Sequence, residues 1–296
     1  MSARPDAPAA RTTVLTFADK RRRGEPISMV TAYDFPTAQA ADAAGIDSIL
    51  VGDSLAMVVL GHPTTLAVTM DEMLHHARAV SRGAKRPLLV GDLPFMTYQA
   101  DVADAVRNAG RYLQEASMDA VKLEGGRAYA ATAAAIVRAG IPVQGHVGLT
   151  PQSVNVMGGF KVQGKTADAA RGILDDAIAL EDAGCFSIVL EGVPDRIAAD
   201  ITERLRIPTI GIGAGGGTSG QVLVIHDLAG ITAKAPRFVK RYGAVGAAMT
   251  DAIRAFREEV ATRAFPGPEH AYAIDDEEYA AFRMLVDDVE PARAPR

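Results

Sequence analysis

Seven short apolar runs alternate with longer alanine-rich stretches along this chain, and that rhythm restricts it to folds built from repeated strand–helix units. The runs are residues 27–34 (ISMVTAYD), 48–54 (SILVGDS), 87–93 (PLLVGDL), 120–126 (AVKLEGG), 142–148 (PVQGHVG), 187–193 (SIVLEGV) and 208–215 (PTIGIGAG). Each stays apolar almost to its polar end, as a parallel strand covered on both faces does. Between them lie helical stretches at 70–83, 101–117, 129–140 and 167–184, several ending in glycine, a common helix stop. An eighth strand is expected around 237–242 (RFVKRY), followed by a long helix over 244–265. Right-handed crossovers then allow two closures, an open doubly wound sheet or a closed barrel. A helix over 12–24 precedes the first strand and is placed to cover a barrel's bottom.

The length of 296 residues suits one α/β barrel, and no linker divides it, so a single domain over 1–296 is expected. Tails are expected at about 1–11 and 290–296. The single cysteine, Cys185, excludes an intramolecular disulfide framework. A net charge of −5 argues against a nucleic-acid binder. No apolar run approaches the roughly 18 residues of a membrane span, and the N-terminus lacks the apolar core of a signal peptide. A soluble cytoplasmic protein is therefore expected, with neither nucleic acid nor membrane as partner. The basic run Lys20 to Arg23 reads as a solvated helix end suited to the helix dipole.

The positions of the acids are more informative. Asp53, Asp92, Glu124 and Glu191 each close a strand run after apolar residues. In a barrel every strand ends on the same face, so these four, far apart in sequence, would converge. Converged carboxylates repel, and they raise one another's pKa or take up a cation. Oxygen ligands suit a hard ion, Mg2+ first. Alternatively, an acid at a strand end caps the next helix, and that is the reading for Asp34, which stands two residues before Pro36. Lys122 lies two residues before Glu124 and so shares its face. It pairs with the neighbouring acids or meets a substrate carboxylate. His146, between Gly145 and Gly148, is either a satisfied structural histidine or a site residue. The glycine-rich segment 211–220 is neither a Walker motif nor placed as a dinucleotide fingerprint. As a turn after the seventh strand it would leave room for a bulky substrate.

Val-Gly-Asp-Ser (51–54), Gly-Asp-Leu-Pro-Phe (91–95), Lys-Leu-Glu-Gly-Gly (122–126) and Gly-His-Val-Gly-Leu-Thr-Pro-Gln (145–152) occur in the same order as in one known family. Over roughly residues 12 to 265 the chain resembles ketopantoate hydroxymethyltransferases. The resemblance implies a (β/α)8 TIM barrel with an extra N-terminal helix, one divalent cation per subunit, usually Mg2+, and a large homo-oligomer, often a decamer. It implies transfer of a hydroxymethyl group from 5,10-methylenetetrahydrofolate to 3-methyl-2-oxobutanoate, giving 2-dehydropantoate for pantothenate and coenzyme A synthesis. By motif match Asp53, Asp92 and Glu124 correspond to the metal-site acids. Asp53, Ser54, Asp92 and Lys122 correspond to keto-acid contacts, and Glu191 to the proton acceptor. His146 is added here as a residue orienting Glu191 or a substrate oxygen. Two positions depart from the family: Thr218-Ser219 where Cys-Asp is common, and Ala67 where proline is common. The first bears on loop shape and folate contacts. Two rivals stand beside this reading: an Mg2+-dependent lyase or mutase of the phosphoenolpyruvate type, and a non-catalytic binding protein on the same barrel.

Overall fold

The computed structural model describes residues 11–287 and 289, so nearly all of both expected tails lies outside the described residues. Eight parallel strands close into a barrel: β1 (Ile27–Thr31), β2 (Ser48–Val51), β3 (Leu88–Asp92), β4 (Ala120–Glu124), β5 (Val143–Gly148), β6 (Ser187–Glu191), β7 (Thr209–Ile212) and β8 (Gly220–Leu223). The ring closes where Met29 of β1 pairs with Val222 of β8. The chain divides into two compact units, residues up to Ala244, which hold the whole barrel, and residues from Val245 on. The second unit contains the helices Val245–Thr262 and Asp276–Val286, and within it Phe256 meets Phe265 edge to face.

Alternation along the strands sorts the core into two layers. Ile27, Met29, Leu50, Leu88, Val90, Ala120, Val189, Ile210 and Val222 fill the barrel's interior. Their outward neighbours, among them Ile49, Leu89, Val121, Val143 and Ile188, pack under alanine-rich helices through Ala77, Ala109, Ala133 and Ala177. Small helix residues let the helices sit close on the strands. Counting on by two from the interior residues brings Asp92, Lys122, Glu124, His146 and Glu191 to the inward face, nearest the strand ends. The apolar floor and the polar mouth are thus one continuous alternation.

The leading helix, Val14–Arg23, drives Phe17 into the interior cluster and stops the barrel's strand-start end. Its basic run is paired within the chain: Lys20 reaches Asp47 at 2.6 Å and Arg23 reaches Glu25 at 2.7 Å. Asp34 caps the helix Phe35–Ala43 by accepting from Thr37 N at 2.8 Å.

The eighth strand differs from the expectation. It is Gly220–Leu223, whereas residues 237–242 form a turn and irregular backbone. A glycine, a glutamine and only two apolar residues do not stand out as a strand run. They pair because β7 and β1 each offer an open edge on either side. Consequently the glycine-rich segment 213–219 is the whole β7–β8 link and has no helix. A Cβ on Gly215 would come within 2.4 Å of Asp195, and one on Gly217 within 2.6 Å of Ala199, so these glycines let the link press against the helix Asp195–Arg204. Ser219 exchanges hydrogen bonds with Thr209 at the start of β7, and its carbonyl accepts from Ile27 at the start of β1. The Thr218-Ser219 departure therefore braces the strand-start end, opposite the mouth.

Gly91 shows how tightly the wall is drawn behind the site. It faces outward, where a Cβ would meet the ring of fully buried Tyr112 at 2.5 Å, and the Tyr112 hydroxyl donates to the Asp92 carbonyl. Gly91→Ala should cost about 1–3 kcal/mol through overpacking, read as a lower denaturation midpoint; an unchanged midpoint would show that this wall yields freely.

Candidate active site

Six chemically active side chains meet inside the barrel's mouth, brought there by β2, β3, β4, β5 and β6. Asp53, Asp92, Lys122, Glu124 and His146 are each at most 4% exposed, while the side chain of Glu191, at the lip, is 18% exposed. Register explains the meeting: Asp92 pairs with Lys122 and Glu124 with His146 on adjacent strands. The Lys122 ammonium lies 2.8 Å from Asp92 Oδ1, 3.7 Å from Glu124 Oε1 and 3.4 Å from His146 Nδ1. Asp53 N donates to Asp92 Oδ2 at 3.2 Å, tying the β2 end to β3. The His146 ring then spans two carboxylates. Nδ1 lies 3.4 Å from Glu124, and Nε2 lies 3.3 Å from Glu191 without a well-aligned hydrogen bond. Lys122 thus pairs with its neighbouring acids, and Glu191 joins the cluster through His146. Ser54 stands beside this group, its Oγ 2.9 Å from the hydroxyl of buried Tyr33.

Gly148 sets the approach of β5 to Glu191. Its φ is 94°, a left-handed value that suits glycine, and a Cβ there would strike the Glu191 carbonyl at 2.4 Å. The next residue, Leu149, donates its N–H to that carbonyl at 2.8 Å.

The charges do not balance. Three buried carboxylates face the Lys122 ammonium and the His146 ring, two cations at most, and water is largely excluded. Burial, then the charges of Asp92 and Glu124, hold the Asp53 carboxyl well above the usual carboxylate range. Burial also raises Asp92, against the pull of Lys122. For Glu124 burial is outweighed by the hydrogen bond from His146 and the charge of Lys122, and its pKa is lowered. Burial opposes the charge on Lys122, yet Asp92, Glu124 and Asp53 together raise its pKa. Burial and the Lys122 charge oppose protonation of His146, but the Glu124 and Glu191 carboxylates against its two ring nitrogens lift its pKa to about 9.

Such a surplus of buried oxygen charge fits a divalent cation of the hard class. Among the described residues no trio of Asp, Glu, His or Cys side chains closes on a point as a finished ion cage. Mg2+ needs none, because it keeps several waters and takes one or two protein carboxylates. Asp53 Oδ1 carries no hydrogen bond among the described residues, and Asp92 Oδ1 meets only Lys122 in an ion pair without an aligned hydrogen bond. Both Glu124 oxygens are already engaged, Oε1 near His146 and Lys122 and Oε2 by the N–H of Gln152.

Two residues of the site were not among the sequence candidates. Gln152 donates to Asp53 Oδ2 at 2.9 Å, and its Oε1 lies 2.9 Å from the hydroxyl of Tyr98. That hydroxyl is also 3.0 Å from the Glu124 carbonyl, so its one proton serves a single acceptor at a time. An uncharged amide on a turn and a tyrosine on a loop leave no mark in charge or periodicity. Only their place by the family motifs, Gln152 as the last residue of 145–152 and Tyr98 three residues beyond 91–95, could have drawn notice. Among the described residues no helix is long and apolar enough to cross a membrane.

Several solved structures share the fold. A phosphonopyruvate hydrolase superposes with a TM-score of 0.59 over 94% of this chain and 99% of its own, at 13% identity. A 2,3-dimethylmalate lyase of the PEP mutase/isocitrate lyase superfamily gives 0.57 over 94% and 93%, at 18% identity. At such identities the likeness extends to the barrel alone. Sequence comparison reaches further. A protein of Syntrophobacter fumaroxidans, a 3-methyl-2-oxobutanoate hydroxymethyltransferase, is 58% identical over 92% of this chain and 96% of its own length. A mitochondrial 3-methyl-2-oxobutanoate hydroxymethyltransferase of Arabidopsis thaliana is 55% identical over 94% of this chain and 83% of its own. The family model for ketopantoate hydroxymethyltransferase matches residues 11–268, a span that includes every strand and all six side chains of the mouth, and the chain belongs to that family.

Proposed function

We propose that this barrel transfers a hydroxymethyl group from 5,10-methylenetetrahydrofolate to C3 of 3-methyl-2-oxobutanoate, giving 2-dehydropantoate for pantothenate synthesis. The observation that carries the reading is Glu191 at the lip, linked through His146 to a buried, over-negative cluster of acids. Carbon–carbon bond formation next to a ketone needs a base near the substrate's C3 and positive charge near its oxygens. The mouth holds Glu191 on β6 and the Lys122 ammonium on β4, with His146 of β5 between them.

Asp53, Asp92 and Glu124 are the metal-site acids of this reading, with Asp53 and Asp92 supplying the oxygens still open to an ion. When bound, a divalent cation would draw electron density from the keto and carboxylate oxygens of the substrate. Lys122 holds Asp92 in place and adds a fixed positive charge under the substrate carboxylate. Ser54 donates to a substrate oxygen while Tyr33 fixes its hydroxyl. Glu191 removes the C3 proton, and His146 keeps that carboxylate facing inward. Water opens the folate's methylene bridge, supplying the oxygen and releasing tetrahydrofolate from a formaldehyde-level carbon; C3 attacks that carbon, and the new alkoxide takes back the proton held by Glu191.

The proton step is separable from the transfer. In heavy water, with Mg2+ and keto acid but no folate, the protein should exchange the C3 hydrogen, followed by loss of its NMR signal. Addition of 5,10-methylenetetrahydrofolate should give 2-dehydropantoate. Exchange without product would point to another 2-keto-acid enzyme on this barrel, and neither exchange nor product would sink the catalytic reading.

A further inference from the structure

Gln152 stands where the metal-site acids are joined. It belongs to the short turn Pro151–Ser153 after β5 and is 5% exposed. All of its polar side-chain atoms are engaged. Nε2 donates to Asp53 Oδ2 at 2.9 Å and to the Leu93 carbonyl at 3.0 Å. Oε1 faces the Tyr98 hydroxyl at 2.9 Å and Gln99 Nε2 at 3.1 Å. The backbone N–H donates to Glu124 Oε2 at 2.9 Å. A carboxylate and a carbonyl only accept, so the amide must present its NH2 to them and its oxygen to Tyr98 and Gln99. The side chain has one orientation, fixed from both sides.

That orientation limits Asp53. Its Oδ2 is committed to the amide, which leaves Oδ1 to meet an ion. A small octahedral cation such as Mg2+ is served by single carboxylate oxygens at short, regular distances. Ca2+ is larger, takes six to eight ligands and accepts a carboxylate through both oxygens. We propose that Gln152, held by Tyr98, is a positioning residue that confines Asp53 to single-oxygen ligation and so favours a small octahedral cation over a large one. This rests on the metal site of the reading above and deepens it. It also gives a reason for an amide here, because a carboxylate at position 152 would repel Asp53 and an apolar residue would release it.

The experiment is calorimetric titration of the metal-free, full-length protein with Mg2+ and, separately, Ca2+, without substrates. Unmutated protein, Gln152→Leu and Tyr98→Phe are compared, each with its melting temperature. Groups that orient metal ligands typically contribute about 10- to 100-fold to affinity. Gln152→Leu should therefore weaken Mg2+ binding by about that factor and Ca2+ binding by less, lowering the ratio of the two affinities. Tyr98→Phe keeps the amide but removes its lock and should move the ratio the same way by a smaller amount. A purely structural role would lower the melting temperature and weaken both ions alike. An unchanged ratio in folded Gln152→Leu would overturn the proposal; if that variant does not fold, an unchanged ratio in Tyr98→Phe would do so. Unmutated protein that binds neither ion would defeat the metal reading itself, and the Gln152 proposal with it.

Discussion

Glu191→Gln is expected to slow exchange of the C3 hydrogen of 3-methyl-2-oxobutanoate by about 10²- to 10⁴-fold, the range over which a positioned base contributes. The amide keeps the shape of the side chain and loses its basicity. Glu191 is at the lip, and its contact within the cluster is His146 Nε2 at 3.3 Å, so the substitution leaves Asp53, Asp92 and Lys122 undisturbed. Calorimetric affinities for Mg2+ and the keto acid should stay near those of the unmutated protein, as should the melting temperature. The measurement is the decay of the C3 proton signal in heavy water. Full-rate exchange in the variant would remove Glu191 from the base role and turn attention to His146.

Lys122→Met should have the largest effect on stability. The ammonium sits among three buried carboxylates, and removing it leaves their charge uncompensated in a dry site. Breaking a buried pair from one side typically costs about 3–5 kcal/mol. The loss should depend on pH. Asp53 and Asp92 have folded pKa values above the ordinary carboxylate range, so the folded protein binds protons more readily than the unfolded chain. Stability from their neutral forms is present at low pH and is lost as pH rises through the folded values. Without Lys122 those values rise further, and the variant should be hurt more at pH 8 than at pH 5. Denaturant midpoints at the two pH values, each with and without Mg2+, test this. A loss that is the same at both would show that the acids are not charged in the metal-free fold.

The site was legible in part because its acids lie at or just past strand ends. An acid closing an apolar run is visible in one dimension, and the inward parity of Lys122 and Glu124 follows from their spacing alone. The convergence of Asp53, Asp92 and Glu124 then came from closure of the barrel, which places every strand end on one face. Elements without a pattern of their own were not legible. β8 carries Gly220 and Gln221 in a four-residue strand, so its identity comes from the two edges it joins. The turn and loop residues Gln152 and Tyr98 were missed for a related reason: they act through hydrogen bonds to groups distant in the chain, and no local periodicity records that. The glycine-rich stretch has a use that its pattern did not record: Gly215 and Gly217 let the β7–β8 link lie flat on a helix.

Closure of the ring by β1 and β8 also governs how the chain must be made. The first strand leaves the ribosome early, with one side paired to β2 and the other bare until residues 220–223 arrive. At the usual pace of synthesis, about 5–20 residues per second, that wait is on the order of ten to forty seconds. Throughout it the nascent sheet has two open margins of backbone donors and acceptors, a state prone to pairing with other chains. Cells that make this protein in quantity therefore face a crowding hazard set by topology, one that chaperone capacity and faster translation between the codons of β1 and β8 would relieve.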